Sequence, residues 1–213
     1  MKNILVDLAI AISDINEFYY SVSEADCEDE ILCVDNDEVR IYERRFVAEM
    51  KSKFDMNIAN NQTISNCYTD KHTDFELPKT VIGNQDLCTI YKKITGKSIV
   101  DLQTIPDFFI HKSQDDMSEE NQILTVEVKT SKKTSTKALY LDWFKTCVYA
   151  DIFNYQVSVS LVVNQPVDDI IQKAKKYLKE YNYLPQKCIE RVWLFIKPSY
   201  DSALTMVKLS DLK

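Results

Sequence analysis

Apolar residues recur at three- and four-residue steps near the start of the chain: Leu5, Leu8, Ile12, Ile15, Tyr19 and Val22. That spacing predicts an amphipathic helix over residues 3–22. A second helix is predicted from about Asn36 to Phe54, with Asp35 or Asn36 as its cap and Asp37 and Glu38 suiting its positive end. Val39, Glu43, Phe46, Met50 and Phe54 fall on or near one face of it. Glu43 is the acidic exception on that stripe, and Arg44 and Arg45 project elsewhere. Residues 57–80 are polar and read as loop with at most one short strand. A short helix is expected from Asp86 to Lys93, stopped near Gly96. Lys79–Ile82 and Ser98–Leu102 compete for the first strand of a sheet.

The pattern then changes period. Asp107 to His111 reads as a short strand, with Pro106 just before it where a missing N–H costs least. After a polar loop, Ile123 to Thr130 alternates cleanly: Leu124, Val126 and Val128 face one side, and Thr125, Glu127 and Lys129 face the other. A helix is expected from Thr134 or Ser135 to about Phe153, a strand over Gln156–Val163, and a helix with a lysine-rich outer face over Val167–Tyr181, started by Pro166. Arg191–Ile196 and Leu204–Leu209 read as strands, the last at an edge. Strands alternating with helices predict an α/β sheet with helices on both faces. The whole chain, residues 1–213, reads as a single domain.

Composition narrows the function classes. With 2 glycines among 213 residues, no glycine-rich phosphate loop can be built. The 6 cysteines form no CxxC pair and the only histidines are His72 and His111, so a structural zinc site is not expected. Cys88 and Cys147 sit in apolar surroundings and read as small buried hydrophobes. The run Ile4–Ile12 is interrupted by Asp7 and has no export or membrane-span character, which predicts a cytoplasmic protein with no membrane association. Net charge is −7, yet eight of the 33 acidic residues fall between Glu24 and Glu38, leaving 25 against 26 basic. The acidic run reads as a solvated connector. Basic clusters at Lys129–Lys137 and Lys173–Lys179 allow a locally positive face.

The chemistry concentrates in Asp107, Glu127 and Lys129. Charges on buried strands are costly unless they are paired or hold a metal. Two carboxylates on neighbouring strands can converge on a hard cation such as Mg²⁺, and the Val128 carbonyl between the two side chains is a further oxygen donor. Lys129 points to the same side as Glu127, about 7 Å along the strand. Its ammonium can orient an attacking water or offset charge on a phosphorane. Pro106-Asp107, then nineteen residues, then Glu127-Val128-Lys129, resembles the motif of the PD-(D/E)xK nuclease superfamily.

That resemblance implies a restriction-endonuclease-like three-layer fold. Its core would be helix–strand–strand–strand–helix–strand over about 36–163, a central mixed sheet flanked by helices, with residues 3–22 and 164–213 as additions. It implies Mg²⁺-dependent cleavage of DNA, less often RNA, with Mn²⁺ as a substitute. It implies Glu43 as an acidic residue supplied by the earlier helix. It also implies a polar or basic residue from the helix after the motif, for which Asp142 and Lys145 are the candidates. Lys132, Lys133, Lys137 and Lys145 are candidate phosphate contacts. Double-strand cutting would favour a homodimer. ExK-like triplets also occur at Glu49–Lys51 and Asp211–Lys213, and the strand context selects the middle one. The alternative is a catalytically inactive module on the same fold that binds nucleic acid or protein.

Overall fold

The computed structural model describes residues 2–20, 36–60, 72–74, 78–112, 117–181 and 186–213. The acidic run Glu24–Glu38 falls largely outside them, and so do Cys27, Cys33 and Cys67. The elements are α1 (Lys2–Ser13), α2 (Asn36–Asn60), β1 (His72–Asp74), β2 (Lys79–Val81), α3 (Gln85–Thr95), β3 (Leu102–Thr104), β4 (Phe108–His111), β5 (Gln122–Lys129), α4 (Thr136–Asp151), β6 (Val157–Val163), α5 (Val167–Glu180), α6 (Gln186–Glu190), β7 (Val192–Lys197) and β8 (Thr205–Lys208).

Six strands form one mixed sheet in the order β1-β4-β5-β6-β7-β8. β4 and β5 are antiparallel, β5–β6 and β6–β7 are parallel with helical crossovers, and β8 closes the edge antiparallel to β7. The predicted α/β architecture with helices on both faces is present. One core lies under α1 and α2, where Leu8, Ile12, Phe46 and Phe54 meet Leu124, Val126, Val128 and the odd-numbered apolar residues of β6. The other lies under α3, α4, α5 and α6, around Trp143, Tyr149, Tyr177 and Ile196. On this second face β6 carries Ser158 and Ser160, small side chains buried beneath α4. Thr125 on β5 donates to the Ser158 hydroxyl at 3.0 Å, which satisfies both groups. Cys88 and Cys147 are buried free thiols as expected, and so is Cys188.

Several boundaries differ from the sequence pattern. The first helix stops at Ser13 rather than continuing to residue 22. The Asn16 side chain accepts from the Phe18 N–H and starts a separate 3₁₀ turn, Glu17–Tyr20. α2 runs to Asn60, six residues past Phe54. Of the two candidates for the first strand, Lys79–Ile82 contains β2, while Ser98–Leu102 shares only Leu102 with β3; β2 and β3 pair with each other as a separate ribbon. The first strand of the sheet is instead His72–Asp74, in a stretch whose pattern shows no alternation. α3 begins and ends with ordinary caps: Asn84 Oδ1 accepts from Leu87 N, and Gly96 takes the left-handed conformation at φ 77°. No helix among the described residues is long and apolar enough to cross a membrane.

Candidate functional site

β4 and β5 stop pairing at one end. The ladder begins with Phe108 opposite Val126, so Asp107 stands beside β5 where β4 has not yet started. Asp107 therefore immediately precedes the strand rather than lying in it. The N–H of Val128 would have no strand partner on that side, and Asp107 Oδ2 accepts it at 2.7 Å. One carboxylate thus takes the place of a missing rung of the ladder. The Val128 carbonyl, the predicted backbone donor to a metal, accepts from Lys129 Nζ at 3.1 Å.

Lys129 is the last residue of β5, so its side chain leaves the end of the sheet and reaches elements on both faces. Its ammonium lies 3.3 Å from Glu43 Oε2 on α2 and 3.4 Å from Asp142 Oδ2 on α4. The Asp142 contact is an ion pair off hydrogen-bond geometry, and that buried oxygen has no hydrogen-bond donor among the described residues. Lys145 makes a second bridge, 3.1 Å from Glu127 Oε2 and 3.4 Å from Asp142 Oδ1. The other oxygen of Glu127 accepts from Tyr149 OH at 2.8 Å. Asp142, Lys145 and Tyr149 are spaced by three and four, which stacks them along one side of α4.

Four carboxyls thus surround two ammoniums. Glu127 is 2% exposed and its carboxyl is pushed up to about 8. Burial is the main cause; Lys145 opposes it, and Asp107 and Asp142 reinforce it. Burial also pushes Asp107 up to about 6, against the pull of Lys129 and the Val128 N–H. Glu43 is raised as well, chiefly by burial. Burial alone would lower both lysines, but the surrounding carboxylates outweigh it and raise them.

These shifts give a sign to the pH dependence of stability. The folded chain holds protons on Glu127 and Asp107 that the unfolded chain releases near their ordinary values of 4.5 and 3.8. Between those values and the folded ones the native state binds more protons, so their contribution to stability falls as pH rises from about 4 to about 8. Metal-free protein should melt at a lower temperature near pH 8 than near pH 5, and Glu127→Gln should flatten the difference. A series of thermal melts in EDTA measures both.

The structure brings Glu43, Asp107, Glu127 and Lys129 together from two elements, α2 and β5, and the approach to β4. Two of the candidate phosphate contacts also have partners inside the protein. Lys145, a candidate phosphate contact, is engaged by Glu127 and Asp142 inside the cluster. Lys137 Nζ donates to the Thr95 carbonyl at 2.6 Å and ties the start of α4 to the end of α3. Lys132 and Lys133 are exposed in the turn after β5. His111 stands at the far end of β4 from Asp107, buried, its ring against Phe109 at 4.8 Å. The sequence pattern did not single out Tyr149, although its place four residues after Lys145 is a readable helical signal.

The donor set is hard oxygen, the type that Mg²⁺ selects. Among the described residues, however, no three Asp, Glu, His or Cys side chains already form a metal-holding group. The ammonium of Lys145 occupies an oxygen of Glu127 that a cation would need. The buried Asp142 oxygen without a donor is the one feature that fits a further cation directly. Comparison with protein-family models, curated proteins and solved structures finds no match.

Proposed function

We propose that this protein is a metal-dependent nuclease, hydrolysing phosphodiester bonds, with a restriction-endonuclease-like core. One observation carries the reading: Lys129 joins Glu43, 86 residues away, beside the Asp107–Val128 hydrogen bond. The pattern that singled out these residues thus describes one place. Leaving aside the β2–α3–β3 insertion after β1, the order α2, β1, β4, β5, α4, β6, with antiparallel pairing up to β5 and parallel pairing to β6, supports the same core.

Asp107, Glu127 and the Val128 carbonyl would hold the cation, with Asp142 and Glu43 close by. The bound Mg²⁺ supplies Lewis-acid polarisation of a phosphoryl oxygen. The chain's own residues do the rest. Asp107 is oriented by the Val128 N–H. Tyr149 fixes one oxygen of Glu127, which leaves Oε2 as the one to exchange Lys145 for a cation. Lys129 is held charged by its carboxylates and can orient the attacking water or offset charge on the phosphorane.

Plasmid cleavage with Mg²⁺ tests the reading. Wild type should cut, and Asp107→Ala should fall by at least about 100-fold. Equal activity in both would sink the assignment. The two ammoniums among the carboxyls favour a second reading, a binding module that has replaced its metal by lysines. An absence of divalent-cation uptake together with retained duplex binding would select it.

A further inference from the structure

We propose that the lysine-rich surface made by the end of α3 and the start of α4 is where a nucleic-acid sugar–phosphate backbone docks. This rests on the nuclease reading and names the path by which its substrate lies. Two segments form the surface. Residues 87–100 carry Lys92, Lys93 and Lys97; residues 130–141 carry Lys132, Lys133 and Lys137; neither segment contains an acidic residue. All six lysines are exposed at the residue level. The hydrogen bond from Lys137 to the Thr95 carbonyl, with the packing of α3 on α4, makes the two segments one surface.

In a chain of net charge −7 this is an uneven placement. The other lysine-rich helix, α5, carries acidic residues as well as lysines. There Lys173 pairs with Asp169 at 2.7 Å and Lys176 with Glu180 at 3.6 Å, so acidic neighbours on the same helix offset the charge. On the α3–α4 surface six exposed lysines are gathered within two short segments, bounded by Asp86, Asp101 and Asp142, and lysines gathered in this way raise a positive potential that attracts a polyanion. Position also favours a substrate. The surface continues from Lys129 at the end of β5, and Lys137 precedes Lys145 by eight residues, about 12 Å along α4. One strand of a duplex advances about 3.4 Å per nucleotide, so the surface reaches phosphates some three to four nucleotides from a bond held at the site.

Salt-dependent binding of a fluorescent duplex in EDTA, read by anisotropy, tests the surface without cleavage. One variant replaces Lys92, Lys93, Lys132 and Lys133 by alanine and leaves the Lys137 tie intact. A second replaces Lys173, Lys175, Lys176 and Lys179, which removes the same charge from α5. The first should weaken binding at least about 10-fold and reduce the slope of log K against log salt by about 2 to 4, near 0.9 for each phosphate no longer neutralised. The second should stay within about twofold of wild type.

Equal losses in both variants would mean that only net charge matters and would overturn the proposal. So would unchanged binding in the first variant. Wild type that ignores the duplex but is retained by phosphatidylserine vesicles would also overturn it. The outcomes separate from those of the nuclease reading. Plasmid cleavage with no selective loss in the first variant removes the surface and leaves the activity. Selective loss of duplex binding in a protein that never cuts removes the activity and leaves the surface.

Discussion

Lys129→Ala should reduce Mg²⁺-dependent cleavage by about 100- to 10,000-fold, the range for a group that acts on charge or a proton in the transition state. Its ammonium is the one positive group shared by Glu43, Asp142 and the Val128 carbonyl. Among the described residues the nearest other ammonium, Lys145, is committed to Glu127 and the other side of Asp142. Lys129→Arg separates chemistry from architecture. The guanidinium keeps the charge but is larger and planar, so it satisfies the carboxylates without putting a compact ammonium at the same point. The arginine variant should fold, by circular dichroism and thermal melting, and still lose at least about 100-fold in cleavage. Full activity in either variant would remove Lys129 from the proposed chemistry.

Lys145→Met should give the largest stability loss in the site, approaching about 3–5 kcal/mol as pH rises past 8 and Glu127 ionises, the range for removing one partner of a buried ion pair. Glu127 then keeps its Tyr149 hydrogen bond and has no ammonium beside it. The loss should depend on pH with a definite sign. Without Lys145 the Glu127 carboxyl rises further above its already raised position near 8. Below that range the carboxyl is protonated in the native state, and a neutral carboxyl does not need the lysine. The destabilisation should therefore be smaller near pH 5, where the Asp142 pair is lost but Glu127 is neutral, and grow towards pH 9. Adding Glu127→Gln should restore much of the loss, because the uncompensated charge goes with it. Urea titrations of the single and double variants at both pH values give the numbers. A penalty independent of pH would show that Lys145 acts through Asp142 or through packing, and not through Glu127.

Much of this site was legible because chemistry and pattern disagreed locally. Glu43 is acidic on an apolar stripe, and Glu127 and Lys129 put two charges on one face of the best strand in the chain. Such conflicts mark residues held for a reason other than the core. The strands of the parallel part were legible for the opposite reason, since β6 and β7 are nearly continuous apolar runs buried on both faces. What escaped has physical causes too. β1 is three residues long, too short for an alternating pattern, and its place in the sheet comes from pairing with β4. Lys79–Ile82 reads as a candidate for the sheet, yet β2 within it pairs with β3 in a separate ribbon, a partner only the folded chain supplies. The end of α1 turns on one Asn side chain competing for a backbone N–H. The role of Tyr149 depends on the side of α4 that faces Glu127, which tertiary packing decides.

Everything proposed for the site requires the carboxyls around Lys129 and Lys145 to take up a divalent cation. Mn²⁺ titration by isothermal calorimetry near pH 8, repeated in buffers of different ionisation enthalpy, tests this without needing the substrate. Wild type should show saturable uptake with release of protons, because carboxyls that hold protons must give them up to a metal. The Asp107→Ala, Glu127→Ala double variant should show none. No uptake by wild type, or the same uptake by the double variant, would contradict the metal site.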